Sequence, residues 1–200
     1  MKFGGTSVGD VGAFERVFQI VSTQYDRHPV VVVSAMTKVT DALLAAFELA
    51  KKGDVDTAVA SLQPHFERHV EVTRQFSIPD TSAFHGELEY AREELADLLK
   101  RVSRRSLPLS MLKDAVVSYG EQLSSRLVAE VLKTKGINAR QVDSRRLIVT
   151  DDEYGAAQPI WEDTEKLVKL EIEPMIAGGE VPIMGGFIAA SRGGETTTLG

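Results

Sequence analysis

Val30-Val31-Val32-Val33-Ser34-Ala35-Met36-Thr37-Lys38-Val39-Thr40-Asp41 is the stretch that decides the fold. Four β-branched residues with no polar alternation predict a strand covered on both faces, as in the interior of a parallel sheet. A polar loop follows. Leu43, Leu44, Phe47 and Leu49 then predict a helix capped by Thr40 or Asp41 and stopped at Gly53. Upstream, Val11, Phe14, Val17, Phe18, Val21 and Tyr25 fall on one helical stripe, broken by Asp26 to Pro29. Before it stands Met1-Lys2-Phe3-Gly4-Gly5-Thr6-Ser7-Val8-Gly9. The order turn, helix, strand, loop, helix is a β-α-β-α opening with most of its first strand cut off.

Downstream the pattern changes. Residues 54–77 and 81–103 predict two helices split by Ile78-Pro79-Asp80, with no strand between them, so about 54–105 is expected to be a helical insertion on the α/β core. A helix from Leu109 to Lys135 ends at Gly136. Strands are predicted at 137–142, 147–149 and 180–187, and a helix from Asp163 to Ala177. Alternating strands and helices imply a mainly parallel sheet sandwiched by helices. In such sheets ligands bind beyond the carboxyl ends of the strands. Residues 191–200 are expected to be a loop without a closing element. Both ends look clipped, which makes the chain a piece of something longer.

The 200 residues are 43% hydrophobic and 26% charged, an ordinary globular composition for one substantial domain. A net charge of −6 argues against a nucleic-acid partner but not against an anionic substrate, because a cationic pocket can sit in an acidic chain. Without cysteine there is no disulfide, thiolate nucleophile or thiolate metal site. The opening is no signal peptide, and no run approaches the roughly 18–20 apolar residues of a membrane span. The expectation is a soluble, cytoplasmic protein with no membrane partner.

Candidate chemistry lies in the loops after strands. Lys2, two glycines and two hydroxyls precede a helix. Glycine lets a ligand approach backbone N–H groups closely, and those groups, the helix start and the ammonium together suit a phosphate. A tight strand-to-helix turn capped by Ser7 explains the same residues equally well. Ser118-Tyr119-Gly120-Glu121 places a glycine inside a helix, at a cost of about 1 kcal/mol against alanine, so Gly120 needs a packing or functional reason. Glu121 reads as a site residue or as part of a solvated face.

Other features carry blander readings. His65 and His69 share a helix face at a metal-ligand spacing, but without a third ligand they are expected to be solvated, and no metal site is predicted. Lys100, Arg101, Arg104 and Arg105 suit a helix end. Asp151-Asp152-Glu153 suits a turn, Arg192 an exposed hairpin or loop, and Trp161 packing.

Four ordered motifs together resemble aspartate kinases, within the amino acid kinase superfamily. They are Lys2-Phe3-Gly4-Gly5-Thr6-Ser7-Val8-Gly9, Val32-Val33-Ser34-Ala35-Met36 with Thr40-Asp41, Tyr119-Gly120-Glu121, and Gly185-Gly186-Phe187-Ile188. Thr197-Thr198-Leu199-Gly200 resembles the start of that family's next signature. The resemblance implies the amino acid kinase fold and transfer of the γ-phosphoryl group of ATP, with Mg2+, to the side-chain carboxylate of L-aspartate. That reaction is the first step towards lysine, threonine and methionine. By resemblance Lys2 is catalytic, and Lys2, Phe3, Gly4, Gly5, Thr6 and Ser7 hold the ATP phosphates. Ser34, Thr40, Glu121, Gly185, Gly186 and Phe187 line the substrate. Acetylglutamate or glutamate kinases, or a non-catalytic ligand-binding module of the same fold, are the alternatives. The arginine, serine and aspartate expected after Gly200, the nucleotide-binding half and the regulatory ACT domains are absent. The chain is therefore read as the amino-acid-binding part of the domain, inactive alone, with a homo-oligomer implied for the full-length protein.

Overall fold

The computed structural model describes residues 1–199; Gly200, the last residue of the Thr197–Gly200 segment that resembles the start of the next signature, lies outside them. The core is a four-stranded parallel sheet built from β1 (Lys2–Phe3), β2 (Val31–Val33), β3 (Ala139–Val142) and β5 (Val181–Gly185), in the order β1-β2-β5-β3. A second sheet, β4 (Val149–Thr150), β6 (Ile188–Ser191) and β7 (Thr196–Thr198), runs in the order β4-β6-β7. There β4 and β6 are parallel and β6 and β7 antiparallel. Residues 188–198 are thus a hairpin, where the sequence predicted an open loop from 191 to 200. Gly194 at φ +89 supplies its left-handed turn position, a pairing that local composition did not reveal.

Side-chain alternation divides the main sheet between two cores. Phe3, Val31, Val33, Ala139, Val181 and Ile183 pack with α1 (Val11–Thr23), α2 (Val39–Lys51) and α5 (Leu109–Thr134). Val30, Val142 and Met184 face the other way, onto Leu167, Val168, Ile172, Met175 and Ile176 of α6 (Trp161–Ala177). The valine run is uninterrupted because both faces of β2 are covered. Pro182 sits in a central strand without breaking it. Val181 N donates towards β3, so the missing N–H of Pro182 faces β2, whose pairing begins only opposite Ile183.

α3 (Val55–Gln75) and α4 (Ala83–Arg104) lie between α2 and α5 with no strand between them, near the predicted limits. Leu88, Ala91, Leu95, Leu98 and Leu99 of α4 are buried in the main core. Several local expectations are corrected. Asp10, not Ser7, caps α1, its Oδ1 accepting from Ala13 N at 2.8 Å. Tyr25 lies beyond α1 in a 3-10 turn. Neither Thr40 nor Asp41 caps α2: the helix starts two residues earlier, after Lys38 in a left-handed conformation. Residues 144–146 form a 3-10 turn, so β4 begins only at Val149. His69 is not solvated but 1% exposed, and Trp161, expected to pack, is 73% exposed.

Candidate active site

Three strand ends lie level. Phe3 pairs with Val33, and Val33 with Gly185, so the loops at Gly4, Ser34 and Gly186 leave the sheet side by side. The ladder continues past the strands: Ser34 N donates to Phe3 O at 3.0 Å and Gly186 N to Val33 O at 2.8 Å. Segments 30 and 150 residues apart are thus fixed at one edge, beyond the carboxyl ends of parallel strands.

The glycines there permit close approach. A Cβ on Gly5 would stand 2.9 Å from Ala35 O, and one on Gly9 2.6 Å from Thr37 Oγ1. Thr37 Oγ1 in turn donates to Gly5 O at 2.8 Å. Residues Gly5–Val8 form a 3-10 turn, so the first N–H groups of the turn have no carbonyl within it to meet. Lys2 is exposed, with Nζ 3.7 Å from where a Cβ of Gly4 would be. Phe3 differs from its neighbours: its ring is in the core and its carbonyl is taken by Ser34. Thr6 is exposed and Ser7 half-buried.

α5 supplies the floor. Gly120 has its reason in packing: a Cβ there would lie 2.7 Å from Ala35 Cβ. That contact brings Glu121 under the Ser34–Thr40 loop, where its Oε1 accepts from Ala35 N at 3.0 Å. Glu121 is 4% exposed, which rules out the solvated face, and its Oε2 is buried with no partner among the described residues. Burial pushes its carboxyl up to about 7, although the Ala35 N–H bond pulls the other way. Gly185 is kept bare by the same residue, since its Cβ would meet Glu121 Cβ at 2.9 Å. Gly186 would crowd Val32.

Gly5, Ser34, Thr40, Glu121 and Phe187 line one open cleft of about 430 Å³ with Ala35, Met36, Thr37, Lys38 and Asp41. Phe187 is 42% exposed and holds φ +65, a conformation costing a non-glycine residue about 1–3 kcal/mol. Lys38, at φ +67, is held the same way. Lys2, Gly4, Gly185 and Gly186 are not in that lining: Gly185 and Gly186 pack against Glu121 and Val32, and Lys2 stands beside Gly4.

Charge pairing separates this cleft from a larger one of about 720 Å³ beside α6. There Arg145 pairs with Asp143, Arg146 with Glu171, Lys166 with Glu162 and Arg192 with Asp163. Among the described residues Lys2 and Lys38 pair with no carboxylate, so their charge is available to an anion. No group of three or more acidic or histidine side chains among the described residues is placed to hold a metal ion. His69 donates Nδ1–H to His65 O at 2.7 Å, and burial drives its pKa down to about 4. No described helix is long and apolar enough to cross a membrane.

Two residues that sequence reasoning missed support the site from outside. Arg68 of α3 donates to Thr37 O at 2.8 Å and to Gly9 O at 2.7 Å. Asp114 of α5, 1% exposed, accepts from Gly155 N, Thr198 N and Thr198 Oγ1 at 2.8–2.9 Å and so ties β7 to the helix. A signal for Asp114 was present: Asp114, Ser118, Glu121, Gln122 and Ser125 recur at helical spacing as a polar stripe. Nothing in the local sequence marks Arg68.

The sheet and its flanking helices are those of the amino acid kinase family, to which the chain belongs; the family model matches residues 1–200. Its named relatives are aspartokinases. The chain is 33% identical over 204 residues to chloroplastic aspartokinase 1 of Arabidopsis thaliana, covering 100% of this chain and 35% of that protein. It is 30% identical over 199 residues to lysine-sensitive aspartokinase 3 of Escherichia coli (strain K12), covering 100% and 42%. The crystal structure of E. coli aspartokinase III in complex with aspartate and ADP matches with a TM-score of 0.87 at 30% identity, covering 100% of this chain and 42% of that one. The chain therefore spans 35–42% of the length of these relatives.

Proposed function

We propose that the chain is the amino-acid-binding part of the catalytic domain of an aspartate kinase. The whole enzyme transfers the γ-phosphoryl group of ATP to the side-chain carboxylate of L-aspartate, giving 4-phospho-L-aspartate, at the start of the route to lysine, threonine and methionine. One observation carries the proposal: Gly5, Ser34, Thr40, Glu121 and Phe187, from four separate motifs, converge on one cleft. The aspartokinase relatives, and a structural neighbour that holds aspartate and ADP, support the choice of substrates.

The chemistry suits what the cleft contains. An aspartate carboxylate, with a reference pKa of about 3.9, is already ionised at neutral pH and needs no general base. The protein must instead bring two anions together and offset the charge on the moving phosphoryl group. Lys2 supplies the cation, and the backbone of Gly4, Gly5 and Thr6 supplies N–H donors, with the Ser7 hydroxyl beside them; the Ser7 N–H itself is taken by Gly4 O at 2.9 Å. Ser34 and Thr40 flank the acceptor from the second loop. Glu121 lies beneath it as the partner of the α-ammonium, which would draw its carboxyl back into the ionised form. Gly185 and Gly186 leave room for the acceptor, and Phe187 covers it. Mg2+ enters with ATP as part of the co-substrate.

The nucleotide-binding half belongs to the rest of the protein, so the 200-residue piece alone is expected to turn over poorly. The full-length enzyme is proposed to be a cytoplasmic homo-oligomer. A hydroxylamine trap for acyl phosphate, run on the full-length protein with L-aspartate, L-glutamate and N-acetyl-L-glutamate, tests the assignment. Hydroxamate from aspartate is expected. Hydroxamate only from another acceptor, or none from any, would overturn it.

A further inference from the structure

We propose that Arg68, on the first helix of the insertion, is a positioning residue that sets the spacing between the glycine loop and the acceptor loop. Its two terminal nitrogens divide between the loops: Nη1 donates to Thr37 O at 2.8 Å and Nη2 to Gly9 O at 2.7 Å. These acceptors lie 31 and 59 residues away in the chain, on different loops. Thr37 closes the link by donating Oγ1 to Gly5 O at 2.8 Å. Gly9 is bare at the junction, where a Cβ would meet Thr37 Oγ1 at 2.6 Å. A guanidinium suits this task better than an ammonium, because its planar fork holds two acceptors at a fixed separation.

Arg68 does not line the acceptor cleft. It lines a separate cleft with Thr6, Gly9, Asp10, Thr37 and Lys38 of the two loops. It therefore acts on the reaction through them. In the proposed kinase the glycine loop holds the phosphoryl donor and the Ser34–Thr40 loop flanks the carboxylate acceptor. In-line attack requires reacting atoms about 3–3.5 Å apart, and a displacement of about 1 Å costs about 100-fold in rate. The spacing of two loops that each hold one reactant is then a direct determinant of turnover. It also gives the helical insertion a task beyond enlarging the core, because α3 carries the side chain that ties both loops.

The inference rests on the proposed reaction for its kinetic arm only. In the full-length protein, Arg68→Met keeps the aliphatic stem and removes every donor. Turnover with aspartate and ATP should fall about 10- to 100-fold. KM for each substrate should stay within about threefold, since each loop keeps its own contacts. Arg68→Lys, which can reach only one carbonyl at a time, should recover part of the loss. Hydrogen exchange gives the second arm. Amides of residues 4–9 and 36–40 should exchange about tenfold faster in Arg68→Met, with those of β5 unchanged. Unchanged turnover, a loss confined to the KM of one substrate, or faster exchange spread equally into β5 would each overturn the proposal. If the wild-type protein phosphorylates no aspartate, the kinase reading fails. The exchange arm then still decides whether Arg68 ties the loops.

Discussion

Replacing Glu121 by Gln should stabilise the chain above neutral pH while weakening its hold on an ammonium-bearing ligand. Glu121 is 4% exposed, and burial raises its carboxyl from an ordinary 4.5 to about 7. In the unfolded chain the same group titrates near its ordinary value. Between about 4.5 and about 7 the folded chain keeps a proton that the unfolded chain has lost, so stability falls as pH rises through that window and levels off above it. Each pH unit is worth about 1.4 kcal/mol, so ionised Glu121 costs the fold about 3 kcal/mol. Gln keeps the oxygen that accepts from Ala35 N and cannot ionise.

Urea unfolding of both forms at a series of pH values isolates the effect, because every other titrating group is common to the two. Relative to Glu121→Gln, the wild type should lose up to about 3 kcal/mol between pH 4.5 and 8. Ligand binding should run the opposite way. In the full-length protein, calorimetry should show L-aspartate affinity rising with pH up to about 7, by at most about tenfold per unit, with uptake of ligand releasing a proton. The variant should bind more weakly, with a flat profile. Parallel stability curves for the two forms would refute the claim that this carboxylate is held against its hydration.

Two further substitutions test the phosphate and acceptor sides of the proposed site. Lys2→Ala should leave the thermal midpoint unchanged, because the side chain is exposed and has no carboxylate partner among the described residues, yet lower kcat by about 100- to 1000-fold; near-normal turnover would remove Lys2 from the phosphate wall. Gly120→Ala gains about 1 kcal/mol of helix propensity. Its Cβ, however, would stand 2.7 Å from that of Ala35, and such overpacking costs about 1–3 kcal/mol. Thermal denaturation should therefore show a net loss, and the displaced Ser34–Thr40 loop should raise KM for aspartate. A gain in stability would refute the contact.

How far the sequence disclosed this structure depends on the range of the interaction that decides each part. The valine run of β2 and the stripes of α1 and α4 follow local hydrophobic pattern, and apart from Val30 and Tyr25, which fall just outside their elements, they lie where the sequence predicts them. The alignment of Phe3, Val33 and Gly185 is set by sheet register between distant segments, which no local pattern encodes. The start of α2 was misplaced because capping residues were sought, whereas Lys38 begins the helix by its backbone conformation alone. His69 lies on a face with the polar signature of solvent, but α4 and α5 cover it, with Leu95 and Leu123 beside it. Arg68 shares that helix and bonds only to backbone carbonyls, which carry no residue-specific mark in sequence.

The glycines at the candidate site are there for room rather than for backbone conformation. A turn needing glycine for its conformation would show a left-handed backbone there. Gly4 instead has φ −77 and ψ 173, which any residue can adopt, and none of Gly5, Gly9, Gly120, Gly185 and Gly186 has positive φ. What these five lack is room, since a Cβ on each would come within 2.6–3.2 Å of a neighbouring atom. The two strained positions lining the cleft are Lys38 and Phe187, where glycine would have been easier for the backbone. Omitting Cβ lets three loops and a helix close upon one another. Retaining costly side chains at φ above +60 puts Lys38, which pairs with no carboxylate among the described residues, and the Phe187 ring in the lining of the space that remains.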